Sequence, residues 1–171
     1  MNSKAVIEGY ICVTGTKSKP IRNTANGEYF YEMIQEKSFD ESIHTYGIPV
    51  MTFNHNRVIA TKSDIELYED RIGLRFRASI DDIEVLAKAQ TGKLQGCSFK
   101  FKPYRESKQT MNKEDVRVIE KMVLLDVSVL DKKPSYRSIV EVVSIPYELQ
   151  KKVDEYIKDP LAKYRQIINE H

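Results

Sequence analysis

Three residues in this 171-residue chain have types and settings that could do chemistry. His55 follows the apolar stretch Ile48–Phe53 and is flanked by Asn54 and Asn56. The other two histidines are less promising, since His44 falls in an expected loop and His171 is the last residue. An imidazole titrates near neutral pH, so His55 is a candidate general base; the alternative is a surface histidine at a strand end. Ser98 lies in Gly96-Cys97-Ser98-Phe99-Lys100-Phe101. Strand alternation puts Cys97, Phe99 and Phe101 on one apolar face and turns Ser98 and Lys100 toward water or a cleft. Parity therefore makes Cys97 a buried, inert thiol. Ser98 becomes either an accessible nucleophile or an ordinary serine on a wet strand face. Asp126 sits inside Met122-Val123-Leu124-Leu125-Asp126-Val127-Ser128-Val129-Leu130. A carboxylate amid such residues is costly unless a donor or charge compensates it. An arginine or backbone amides could do so, and so could a histidine that the carboxylate holds in its tautomer.

Base, nucleophile and orienting acid are the minimum set for serine hydrolysis. Their chain order here, His, Ser, Asp, differs from that of chymotrypsin-like, subtilisin-like and α/β-hydrolase enzymes, and no G-x-S-x-G elbow is present. Those three scaffolds are disfavoured.

The elements that must position these residues are mostly strands. Period-two patterning runs through Ala5–Val13, Glu28–Gln35, Ile48–Phe53, Gly96–Tyr104, Val116–Leu130 and Ser138–Ser144. Ile65–Tyr68 and Ile72–Ala78 read as a hairpin across Glu69-Asp70-Arg71. Ser38 with Glu41 is a capping-box signature for a short helix, and Asp81 with Glu84 opens a second helix that stops near Gly92. Glu106 to Lys113 reads as a polar loop. Pro146–Lys158 and Pro160–Asn169 read as helices, with Asp159 as an N-cap. The expectation is a β-rich α+β fold, a closed or partly open barrel of about seven mostly antiparallel strands flanked by helices. Residues 1–145 would form that domain and 146–171 a helical C-terminal tail packed on it. The tail's apolar stripe (Leu149, Val153, Tyr156, Ile157, Leu161, Tyr164) would either cover the core or mediate self-association.

Composition narrows the classes. Length fits one domain, and 27 basic against 25 acidic side chains leave a net charge of +2, too little for a dedicated nucleic-acid binder. A nucleic-acid-binding barrel using Lys100, Lys102, Tyr104 and Arg105 is therefore disfavoured. The two cysteines, Cys12 and Cys97, form no metal-ligand or redox motif, and a reducing compartment is expected. The N-terminus lacks the uninterrupted apolar region of a signal peptide, and no aliphatic run is long enough to span a bilayer.

At these residues the chain resembles the prohead, or capsid-maturation, serine protease family of tailed bacteriophages, which is related in fold to the herpesvirus protease assemblin. The likeness begins with Ile7-Glu8-Gly9-Tyr10 and Glu36-Lys37-Ser38-Phe39. It continues through Val50-Met51-Thr52-Phe53-Asn54-His55-Asn56 and the Glu69-Asp70-Arg71-Ile72-Gly73-Leu74 hairpin. The Ser98 strand follows, then Leu125-Asp126-Val127-Ser128-Val129-Leu130 with Pro134-Ser135-Tyr136. The resemblance implies Ser98 as nucleophile, His55 as general base and Asp126 as third member, at a position where the family more often has glutamate. Lys100 stands where a glycine is common. The implied activity is cleavage of scaffold and major capsid protein inside the assembling prohead, in the cytoplasm of a bacterial host. Self-cleavage, a homodimer or higher self-association, and no cofactor, metal, nucleic acid or membrane are implied as well. A non-enzymatic procapsid assembly or scaffold-binding protein on the same fold is the alternative.

Overall fold

The period-two stretches of the sequence become strands, joined by several that the pattern does not announce. The computed structural model describes residues 3–169. Its strands are β1 (Ala5–Val13), β2 (Ile21–Arg22), β3 (Tyr29–Ile34), β4 (Val50–Phe53), β5 (Arg57–Ala60), β6 (Ile65–Glu69), β7 (Gly73–Ile80), β8 (Gly96–Met111), β9 (Glu114–Leu130) and β10 (Ile139–Ser144). The helices are α1 (Ser38–Tyr46), α2 (Ile83–Gln90), α3 (Tyr147–Lys158) and α4 (Ala162–Asn169). The β-rich α+β class is as expected, but these strands form two sheets, and no closed barrel is found among the described residues.

One sheet has the order β10-β1-β7-β6 and is antiparallel throughout. The other is mixed. Its spine is β9, which pairs with β8 along nearly its whole length on one edge. On the other edge β9 takes β3 at Val116–Ile119 and then β4 at Val50–Phe53 opposite Asp126–Val129, both parallel. β3 and β4 run the same way along that edge, and α1 links the end of the first to the start of the second. Alternation along single strands carries no information about such partners, so the pattern alone suggests a barrel of about seven strands where the chain forms two sheets.

Local differences have identifiable causes. The expected polar loop over residues 106–113 is instead the outer half of a long β8–β9 ribbon. It closes through Asn112 and Lys113, both at positive φ, the geometry of a type I′ hairpin turn. Its β8 side is mostly exposed and carries cross-strand charges, Lys108 with Asp115 at 2.6 Å and Arg117 with Glu106 at 2.5 Å, so no apolar alternation marks residues 106–111, although Val116 and Val118 of β9 are buried against Met33. Helix α1 starts at Ser38 as expected, but without a capping box. Ser38 Oγ donates to the Glu120 carbonyl at 2.7 Å, and the first turn is capped from afar by Glu69, which accepts the Lys37 and Asp40 amides at 2.7 and 2.9 Å. His44 lies in the last turn of α1, not in a loop. The α2 N-cap is Asp82, accepting from the Val85 amide at 3.0 Å, one residue later than expected.

The core lies between the sheets. Ile7, Ile11, Phe76 and Ile80 from the first meet Met51, Phe99, Val127 and Val129 from the second, and Phe39, Leu86 and Val153 close it from the helices. The tail's stripe divides: Leu149 and Val153 are buried, whereas Leu161 and Tyr164 stay exposed on and beside α4. His171 lies outside the described residues.

The β6–β7 hairpin shows what one glycine does here. Asp70 accepts the Ile72 and Gly73 amides at 2.8 and 3.1 Å and the Tyr10 hydroxyl at 2.6 Å, tying the turn to β1. A Cβ on Gly73 would lie 2.0 Å from the Cys12 carbonyl oxygen. Gly73→Ala should therefore force β1 and β7 apart and destabilise the protein by about 1–3 kcal/mol, measurable by urea denaturation.

Candidate functional site

The site begins with a change of phase in β9. Met122 and Leu124 point into the core, and so do Val127 and Val129, which strict alternation would not allow. A bulge resolves the conflict: Phe101 pairs with Leu124 and Lys100 with Asp126, leaving Leu125 as the extra residue, 54% exposed. Beyond it, Asp126 and Ser128 share the face opposite the core, beside Lys100 and Ser98 of β8. The bulge also lets the Lys100 amide donate to Asp126 Oδ1 at 3.2 Å.

His55 enters from the turn between β4 and β5. Asn54 and His55 both have positive φ, 53° and 57°, and the Asn56 amide closes onto the Phe53 carbonyl at 3.1 Å. That conformation is unusual for residues other than glycine, although asparagine and histidine are enriched in it. It persists because its surroundings fix it. Asn54 is gripped by Asp131, which accepts its side-chain amide at 2.9 Å and is paired to Lys88 of α2 at 2.8 Å. Lys88 and Asn54 hold the Asp131 carboxyl below its ordinary value. The His55 amide donates to Ser128 Oγ at 2.9 Å, and Ser128, fully buried, passes its own hydrogen to the Thr52 carbonyl at 3.1 Å. The turn thus folds the imidazole back over β9, where His55 Nδ1 lies 2.8 Å from Asp126 Oδ1. A carboxylate there takes the Nδ1 hydrogen and leaves Nε2 with its lone pair.

Ser98 is half-buried on β8, directly opposite Ser128. Directly opposed residues have Cβ atoms about 4.5–5.5 Å apart, so Ser98 stands one cross-strand step from the hydroxyl that holds His55. The structure brings His55 and Asp126 together. It places Ser98 on the same face, but its hydroxyl makes no hydrogen bond to His55 among the described residues. Cys97 points the other way, fully buried, and burial pushes its thiol up, away from the thiolate a nucleophile needs. Just before it, Ser138 Oγ accepts the Cys97 amide at 2.8 Å, and a Cβ on Gly96 would lie 2.5 Å from that same oxygen. The segment following β9 is therefore pressed against the start of the Ser98 strand.

Sequence reading missed the anchor of that segment. Tyr136 is buried and donates to Glu32 Oε1, and Glu32, 4% exposed, accepts Arg117 through its other oxygen at 3.0 Å. Burial pushes the Glu32 carboxyl up, against the pull of Tyr136 and Arg117. Glu32 shares the strand face of the core residue Ile34, so the signal in the sequence was a charged residue amid apolar neighbours, as at Asp126.

A carboxylate-bound imidazole with a free Nε2, beside a serine on the neighbouring strand, is an arrangement suited to serine hydrolysis. This chain belongs to the caudovirus prohead serine protease family, which matches residues 1–152. That family indicates a serine peptidase of phage capsid maturation, at work among capsid or scaffold proteins. No curated protein and no solved structure matches the chain. No helix among the described residues is long and apolar enough to cross a membrane.

Two measurements probe this framework. Ser128→Ala should leave the His55 amide without its acceptor, destabilise the fold by about 1–3 kcal/mol in urea denaturation, and speed hydrogen exchange at that amide. Ionising Glu32 lowers stability as pH rises through its range, because its folded value is raised, and the Tyr136 bond offsets part of that loss. Tyr136→Phe should therefore cost about 1–3 kcal/mol above that range. The cost should shrink as pH falls through it, a trend that thermal unfolding at several pH values will show.

Proposed function

We propose that this chain is the capsid-maturation endopeptidase of a tailed phage, cutting scaffold and major capsid protein segments within the prohead, in the host cytoplasm, and processing itself. The observation that carries the reading is the 2.8 Å contact of His55 Nδ1 with Asp126 Oδ1, on the same face of β9 as Ser128, which holds the His55 amide and lies directly opposite Ser98. In this reading Ser98 Oγ attacks the scissile carbonyl while His55 Nε2 takes its proton. The same nitrogen then hands that proton to the leaving amine, which departs as the acyl-serine ester forms. Water, deprotonated by His55, attacks the ester, and the same proton returns to Ser98 Oγ as the acid product leaves. Asp126 holds the Nδ1 hydrogen throughout and supports the imidazolium in each half-reaction.

Residues 1–145 serve as the protease-like unit, on a fold related to assemblin, with the helical tail packed on it. The exposed Leu161, Tyr164, Ile167 and Ile168 support self-association of copies through the end of that tail.

One observation favours the second reading, a non-enzymatic assembly or scaffold-binding protein: the missing Ser98–His55 hydrogen bond. Such bonds often tighten only when substrate binds. Co-expression with scaffold and capsid protein, followed by intact-mass analysis, separates the two. Wild type should yield discrete fragments and Ser98→Ala none, with the same unfolding midpoint. Equal fragmentation in both would sink the assignment of Ser98, and stable scaffold association without any cleavage would favour the second reading.

A further inference from the structure

Lys100 touches both members of the histidine–carboxylate pair. Its backbone amide donates to Asp126 Oδ1 at 3.2 Å, its Nζ donates to the His55 carbonyl at 3.2 Å, and the same Nζ lies 4.0 Å from Asp126 Oδ2. The two contacts reach the pair from opposite ends, one through the carboxylate and one through the backbone of the strained turn. Other charges around the turn are engaged elsewhere. Asp131 is paired with Lys88, and Arg57 with Asp82 and Glu84. The Lys100 side chain is 54% exposed, so it contributes little to the core. Its stem nevertheless runs along the face that carries Ser98 and Asp126.

We propose that Lys100 is a positioning residue for the reaction assigned to Ser98, its ammonium group clamping the His55 turn so that the imidazole stays seated on Asp126. The inference rests on the protease reading. The mechanics follow from the turn. Residue 55 holds a positive φ that an ordinary side chain resists, its amide is fixed by Ser128, and its carbonyl is fixed by Lys100. Releasing the carbonyl frees one end of that peptide segment, and the ring then drifts relative to Ser98. Misplacement by about 1 Å at a reacting group costs on the order of 100-fold in rate. Because the clamp acts on geometry within the enzyme, its loss should appear in kcat and not in KM.

The test compares Lys100→Met, which keeps the stem and loses the donor, with Lys100→Arg, which keeps both charge and donors. In wild type and the two variants, the ring Nδ1 hydrogen of His55 is followed by NMR, with assignment from His55→Gln. Turnover of a scaffold-derived peptide is measured alongside. Lys100→Met should lower kcat by about 10- to 100-fold with little change in KM. It should also broaden or abolish the Nδ1 hydrogen resonance, leave the unfolding midpoint in place, and be rescued largely by arginine. A resonance unchanged in Lys100→Met would overturn the proposal, as would a loss confined to KM, which would make Lys100 a substrate contact. Labelling by a serine-directed phosphonate, read in wild type against Ser98→Ala, decides the protease reading separately, because the His55 resonance reports on the clamp whether or not the serine reacts.

Discussion

Strand β9 must satisfy two edges and two faces at once, and most of the molecule follows from how it does so. On one edge it pairs with β8 almost end to end, and on the other it takes β3 and then β4 in parallel. Its inner face supplies Met122, Leu124, Val127 and Val129 to a core shared by both sheets. These four cannot lie on one face of an unbroken strand, so the strand bulges at Leu125. The bulge preserves the core on both sides of it. It also sends Asp126 to the outer face, next to β8, and turns a ladder amide toward the carboxylate. A packing requirement and a polar site are met by the same extra residue.

The β4–β5 turn is the second place where cost and placement coincide. Two consecutive residues at positive φ, one of them a histidine, are held by an asparagine–aspartate–lysine relay on one side and by a buried serine on the other. Strain of this kind, about 1–3 kcal/mol per residue, persists only where neighbouring groups over-determine the backbone. Here those neighbours are Lys88 of α2 and the stretch from Ser128 of β9 to Asp131 just after it, so the position of the imidazole is set by two separate parts of the chain.

Much of this was legible in the sequence, for definable reasons. Parity alone put Cys97 inside and Ser98 outside, because Gly96–Phe101 alternates without interruption up to the bulge. Asp126 stood out because a carboxylate in an apolar run must have partners, and it accepts hydrogen bonds from His55 and the Lys100 amide, with the Lys100 ammonium 4.0 Å away. The bulge itself was invisible. In Leu124-Leu125-Asp126-Val127 either leucine could face inward, and only the partner strand decides which one does. The two-sheet arrangement was hidden for the same reason, since pairing is a property of two strands and alternation of one. The β8 side of the outer ribbon escaped because its residues are mostly polar and paired by charge, as Lys108 is with Asp115, while the buried side chains beneath it come from Val116 and Val118 of β9. Ser38 misled in a different way. It sits at the helix start, but its hydroxyl is taken up by the Glu120 carbonyl while a distant glutamate caps the helix.

The aspartate at position 126 and the lysine at position 100 are best understood together. An aspartate reaches one methylene less far than a glutamate would, yet the contact with His55 closes at 2.8 Å. Two features of the backbone make up the difference: the turn carries the imidazole inward over β9, and the bulge lifts Asp126 toward it. Both are local distortions that regular pairing would tend to straighten. Lys100 is the residue that touches both, with its amide on the carboxylate beside the bulge and its ammonium on the carbonyl of the turn. Where a longer carboxylate could adapt to its histidine through side-chain rotation, the shorter one depends on backbone placement. A side chain that fixes that backbone from the neighbouring strand is the kind of partner such a site requires.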